Sequence, residues 1–180
     1  VAVFDNDGTL WAEQPLYFQA AFAFDTARAM AAKDPAIAAN PALDAAAKGD
    51  LKALAEVIAL THANTTSDEF AARVRQWSRT AQHPTLHRPY TELTYQPMRE
   101  LLDYLKANGF STWIVSGGGV EFVRVFSQQL YGIPPERVVG SSIKAKYDVR
   151  NGVPVIVRLP EIDFVDDKAG KPVGIQAHIG

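Results

Sequence analysis

The opening stretch "VAVFDNDGTLW" constrains the fold of this chain more than any other. Four apolar residues run directly into two carboxylates, Asp5 and Asp7, separated by one residue and followed at once by Gly8. Asp, Asn and Gly favour turns, so the apolar run ends sharply. A short apolar run bounded by a turn has the pattern of a buried parallel strand. Both acids then stand at the carboxyl end of that strand, where open α/β sheets bind ligands. An acidic turn without chemistry has the same local sequence, so the choice depends on what the rest of the chain brings to that edge.

After this strand the pattern is helical to about residue 82. "QPLYFQAAFAFDTARAMAAKD" is apolar nearly all round, which predicts a helix buried on most faces. "GDLKALAEVIALTHANT" places Leu51, Leu54, Ile58 and Thr61 on one face behind the cap residue Asp50. "TSDEFAARVRQWSRTAQ" starts at a cap on Ser67 and aligns Phe70, Val74 and Trp77 at helical spacing. Beyond "HPTLHRPY" the pattern becomes α/β. "YQPMRELLDYLKANG" reads as a helix stopped at Gly109, and residues 110–115 as a buried strand ending in Ser116 and three glycines. "VEFVRVFSQQLYG" reads as a helix and "RVVGSSI" as a third short strand. A hairpin turning at Asn151-Gly152 follows, then a helix starting near Pro172. The order is that of an α/β core interrupted by an all-helical block.

A chain of 180 residues can build one core, or a core with a small accessory unit. Net charge is −2 with both signs scattered and no basic stripe, which gives no support to nucleic-acid binding. The 47% hydrophobic content is too high for a disordered chain, and no apolar stretch is long enough to span a bilayer. The absence of cysteine excludes disulfides, thiolate metal sites and Cys nucleophiles. No signal peptide is visible, but the chain opens inside a strand pattern without Met, so it is expected to be a piece of a longer protein.

"STWIVSGGG" sets Ser116 and the N–H groups of Gly117 and Gly118 where strand gives way to helix. Glycine permits close backbone approach, and a helix N-terminus favours phosphate. By itself such a turn is common, and it matches neither a dinucleotide fingerprint nor a P-loop. Taken together, "VFDNDGT" and "WIVSGGG" resemble the first two motifs of the haloacid dehalogenase superfamily of aspartate-dependent phosphohydrolases, in particular its phosphoserine-phosphatase-like branch. The resemblance implies a Rossmann-like three-layer α/β core with a parallel sheet, formed by residues 1–12 and 91–180, and an inserted all-helical cap over 13–90. By the same resemblance Asp5 is the nucleophile and Asp7 the general acid and base. The resemblance further implies that Mg²⁺ would bind the Asp5 carboxylate and the Asp7 backbone carbonyl, and that Ser116 with the Gly117 N–H would hold the phosphoryl oxygens. A lysine after the third strand neutralises the anion. Of Lys144, Lys146, Lys168 and Lys171, the last, in "GKPVGI", fits best.

The chain departs from the family at its end. A fourth motif, a strand ending in paired acids, is expected beyond Gly180, because "EIDFVDDKAG" reads as a loop with Asp166 and Asp167 in solvent. Glu13 and Trp11 lie at the junction with the helical block, Glu13 as a substrate contact and Trp11 as hinge packing. His83 and His87 read as surface residues. The resulting expectation is Mg²⁺-dependent hydrolysis of a small phosphate monoester through an aspartyl-phosphate, without nucleic-acid or membrane partners. The rivals are a phosphotransferase or mutase using the same intermediate, and a non-catalytic phosphoester-binding module. A dehalogenase fits less well, since Asp7 would be idle.

Overall fold

The structure, a computed structural model, describes residues 1–180. The strands are β1 (Ala2–Phe4), β2 (Thr112–Gly119), β3 (Val138–Arg150) and β4 (Val153–Phe164). The helices are α1 (Phe18–Ala31), α2 (Pro35–Ala38), α3 (Pro41–Ala47), α4 (Leu51–His62), α5 (Ser67–Thr80), α6 (Gln96–Ala107), α7 (Val120–Tyr131) and α8 (Gly170–His178). None is long and apolar enough to cross a membrane.

The chain divides into two compact units. The first contains Val1–Tyr17, Ala71–Ser142 and Ile162–Gly180. The strands pair in the order β1-β2-β3-β4, and of β3 and β4 only residues 138–142 and 162–164 belong to this unit. β1 and β2 are parallel, with Ala2 opposite Thr112 and Phe4 opposite Ile114. β2 and β3 are also parallel, with Ile114 opposite Val138 and Ser116 opposite Gly140. Parallel neighbours set Asp5, just after β1, and Ser116, in the second half of β2, toward the same end of the sheet.

Three features correct the expectations. Within residues 1–180 β1 pairs with β2 alone, and Val3 is 43% exposed. The sheet is mixed and not wholly parallel. β3 continues through Arg150 as one long strand and turns back into β4 through Asn151-Gly152, both at positive φ (52° and 79°), as a two-residue hairpin requires. The glycines of "SGGG" are not a turn but the last residues of β2, accommodated by an irregularity between Ser116 and Gly119.

The second unit contains Phe18–Phe70 and Ile143–Glu161. Its core is a cluster of small side chains (Ala23, Ala27, Ala42, Ala46, Ala53 and Val57) against which Phe24, Leu43, Leu54 and Ile58 pack. Alanine at these contacts lets α1, α3 and α4 approach closely without losing helix propensity. Asp50 caps α4 by accepting the N–H groups of Lys52 and Ala53. Leu51, expected on the inner face, is 78% exposed; the inner face is Ala53, Val57 and Thr61. The cap of α5 is Thr66, not Ser67. Its hydroxyl accepts the Glu69 N–H at 3.1 Å while Glu69 accepts the Thr66 N–H at 2.7 Å, a reciprocal capping box.

This unit also differs from the span 13–90 in taking in part of the β3–β4 hairpin. The Arg158 Nε–H donates to the His62 carbonyl at 2.8 Å, and its guanidinium lies 4.0 Å over the Phe70 ring. The Asn64 N–H donates to the Arg158 carbonyl and the Arg158 N–H to the Thr65 carbonyl, both at 2.9 Å, so β4 is fastened to the segment between α4 and α5.

Candidate active site

The chain after β1 winds tightly around Asn6. Its carbonyl accepts the N–H groups of Thr9, Leu10 and Trp11 at 3.2, 2.8 and 3.3 Å, and the Gly8 N–H donates to the Trp11 carbonyl at 2.9 Å. Gly8 has φ 68°, and a Cβ there would lie 2.7 Å from the Glu13 carboxyl carbon. The left-handed backbone is what requires glycine, since the Glu13 carboxylate is the movable end of a flexible side chain. The turn sets Asp5 and Asp7 at the carboxyl end of β1 and folds the Glu13 carboxylate back over Gly8.

Asp5 is partly exposed and doubly held. Oδ1 accepts the Asn6 N–H at 2.8 Å, and Oδ2 lies 2.6 Å from Lys171 Nζ. Lys171, in the first turn of α8, also donates to the carbonyl of Val115, within β2, at 3.2 Å. Of the four lysines considered, this is the one the fold brings to Asp5. Lys144 pairs with Glu161 on the hairpin, and Lys146 and Lys168 are exposed.

Asp7 Oδ1 accepts the Trp11 Nε1–H at 2.7 Å. Trp11 is 2% exposed and packs on Phe122 and Phe126, with ring centroids 6.4 and 5.6 Å away. Its packing was anticipated; its hydrogen bond to Asp7 was not. Burial pushes the Asp7 carboxyl above the usual carboxylate range. The Trp11 bond opposes this, the charges of Asp5 and Glu13 add to it, and Lys171 opposes it.

In the second half of β2, Ser116 is fully buried and its Oγ accepts the Gly118 N–H at 3.1 Å. Gly117 is exposed, and its carbonyl accepts the Ser141 hydroxyl at 2.8 Å. A Cβ at Gly117 would meet the Asp167 side chain at 3.4 Å, so Asp167 also borders this edge. The two donors expected for a metal, the Asp5 carboxylate and the Asp7 backbone carbonyl, are both oxygens of the turn after β1. No group of three or more His, Asp or Glu is gathered. Such a set suits a hard ion that keeps several waters, as Mg²⁺ does, and does not suit a closed structural site.

Asp166 was expected in solvent and is instead fully buried. Its backbone N–H donates to Ser141 Oγ at 3.0 Å, which turns the side chain inward toward Gly174 of α8. Neither carboxyl oxygen has a hydrogen-bond partner. Burial pushes its pKa up to about 6, against the pull of Lys171 and His178. Because this pKa lies above the unfolded value of 3.8, the folded state binds the proton more tightly. That contribution is complete below the unfolded pKa and is lost as pH rises through the folded one. Asp166→Asn should therefore raise Tm at about pH 7 in EDTA, with the gain vanishing near about pH 3.5. A destabilised variant at neutral pH would mean that the carboxylate is compensated.

His83 is likewise buried, contrary to expectation. The loop wraps its ring: Nε2–H donates to the Gln14 carbonyl at 2.6 Å, and Nδ1 accepts the Leu86 N–H at 3.1 Å. His87 is exposed. Neither histidine reaches the carboxylate pair.

A family model described as haloacid dehalogenase-like hydrolase matches residues 2–171. None of the curated proteins matches the chain. Among solved structures, a protein of unknown function from Bordetella pertussis Tohama I superposes with a TM-score of 0.64 at 20% identity, over 98% of this chain and 72% of that one. A phosphoserine phosphohydrolase-like protein from Francisella tularensis gives 0.52 at 21% identity, over 99% and 73%. A HAD family hydrolase from Salmonella enterica serovar Typhi gives 0.51 at 18%, over 98% of this chain and 49% of that one. At these identities the likeness is one of fold.

Proposed function

Since this chain belongs to the haloacid dehalogenase-like hydrolases, we propose that it is a phosphate monoester hydrolase working through an aspartyl-phosphate on Asp5. The observation that carries this reading is the 2.6 Å contact of Lys171 with Asp5, beside a second carboxyl, Asp7, whose pKa is raised by burial. A nucleophile, a cation for the phosphoryl oxygens and a proton donor thus meet at one sheet edge.

In the first half-reaction an Asp5 oxygen bonds to phosphorus as the ester P–O bond breaks, and Asp7 gives its proton to the departing oxygen. The raised pKa keeps Asp7 protonated to higher pH than an exposed aspartate, which suits it to this step. In the second, water attacks phosphorus, Asp7 takes its proton and the Asp5–phosphorus bond breaks. Lys171 exchanges its contact with Asp5 for the phosphoryl oxygens, which its flexible stem allows. Ser116 and the Gly117 N–H hold those oxygens, and Glu13 borders the substrate. Mg²⁺, held by the Asp5 carboxylate and the Asp7 carbonyl, supplies Lewis-acid screening of phosphate charge when bound. The substrate is a small phosphorylated metabolite.

The test is phosphate release from a panel of monoesters by the full-length protein, with and without Mg²⁺. Release that depends on Mg²⁺ supports the reading; binding of the esters without release from any of them overturns it. Ser116→Ala should lower kcat/KM by roughly ten- to 150-fold, equivalent to about 1.5–3 kcal/mol for a hydrogen bond to a charged oxygen. An unchanged kcat/KM would remove Ser116 from the cradle.

A further inference from the structure

Away from the carboxylate pair, a cavity of about 310 Å³ opens between α5, α7 and the turn after Pro89. It is lined by Arg75, Arg79, Thr91, Glu92, Phe126 and Gln129, among others. The volume is at the lower end of small-molecule sites. Arg75 and Arg79 stand four residues apart on α5, so they are neighbours on one face, where like charges repel. Neither has an acidic partner, and Glu92, the acid in the wall, is paired with Arg88 at 3.2 Å. Both side chains are exposed and reach solvent at the mouth of the recess, where an oxyanion can be held by the two together. Each guanidinium presents a planar fork of donors that matches carboxylate or phosphate oxygens. Thr91 and Gln129 add polar groups, and Phe126 adds an apolar wall.

Phe126 also touches the catalytic side of the fold. Its ring centroid is 5.6 Å from that of Trp11, and Trp11 donates the 2.7 Å hydrogen bond to Asp7. We propose that this cavity is an effector site for a small organic oxyanion bearing an apolar group, anchored by Arg75 and Arg79, and that its occupation shifts the Trp11–Asp7 hydrogen bond through Phe126. The shared chemistry of the ligand is a carboxylate or phosphate-type group on an apolar arm. The coupling element is the Phe126–Trp11 ring contact, whose position both sites bias.

The test uses ¹⁵N-labelled protein titrated with phenylphosphonate, benzoate or benzyl alcohol as the neutral control. The Nε–H signals of Arg75 and Arg79 and the Trp11 indole N–H signal are followed by NMR. At least one anion should shift the arginine signals saturably, with the Trp11 signal moving in step, while benzyl alcohol does neither. Tighter binding of phenylphosphonate would assign a phosphate-class ligand, and tighter binding of benzoate a carboxylate-class one. The double variant R75Q/R79Q should weaken the anion response of Trp11 at least tenfold, and any response it retains belongs to another site. Absence of saturable arginine shifts, or unchanged affinity in the double variant, would overturn the site. Saturated arginine signals with a stationary Trp11 signal would overturn the coupling. No turnover is read, so the outcome is independent of the hydrolase assay.

Discussion

Asp5→Asn is expected to abolish turnover, lowering kcat by at least about 10⁴-fold, on the scale seen when a covalent nucleophile is removed. An amide oxygen is a poor nucleophile toward phosphorus, so the phospho-enzyme should disappear along with the activity. The variant should still fold. Asp5 and Lys171 form a partly exposed pair with side-chain exposures of 41% and 24%, and pairs of that kind add little to stability. The measurement combines steady-state phosphate release, acid-quench trapping of labelled phospho-protein and a thermal melt. Loss of both chemical signals with an unchanged Tm is the expected result. Wild-type turnover by the variant would show that Asp5 is not the nucleophile.

The parts of this site legible in the sequence are those whose chemistry is local. Asp5 and Asp7 are separated by one residue, and Gly8 announces the turn that presents them. The Asn151-Gly152 hairpin and the Asp50 cap are similarly short-range, and both are found in the structure. Lys171 is not local: the family resemblance singled it out, and its 2.6 Å contact with Asp5 spans 166 positions of chain. What was not legible depends on the environment that distant segments create. Asp166 lies in a polar run that reads as solvated, yet α8 packs over it through Gly174. His83 has the sequence context of a surface loop, but the loop closes around the ring. Leu51 satisfies helical periodicity and still faces solvent, because alanines set the close contacts of α4. Hydrophobic pattern reports which residues can be buried; the partner surface decides which are. Thr66 is the exception. Its Thr-x-x-Glu signature was present in the sequence, one residue from where the cap was placed.

Asp7→Asn is expected to slow turnover by about 10²–10⁴-fold, the range for general acid–base catalysis, while leaving Asp5 in place as the proposed nucleophile. The loss should depend on the leaving group. An alkyl phosphate needs a proton as its oxygen departs, whereas a nitrophenolate leaves readily as an anion. The variant should therefore be impaired in forming the phospho-enzyme from alkyl phosphates and much less so from p-nitrophenyl phosphate. With the activated ester, hydrolysis of the phospho-enzyme becomes slow, because asparagine cannot take the proton of the attacking water. A burst of nitrophenolate close to one equivalent, followed by a slow steady rate, is the expected record. Asparagine retains a side-chain oxygen for the Trp11 Nε1–H, which donates to Asp7 at 2.7 Å, so the turn around Asn6 should persist. Equal loss for alkyl and nitrophenyl esters, with no burst, would mean that Asp7 is not the proton donor and acts on the site by its charge alone.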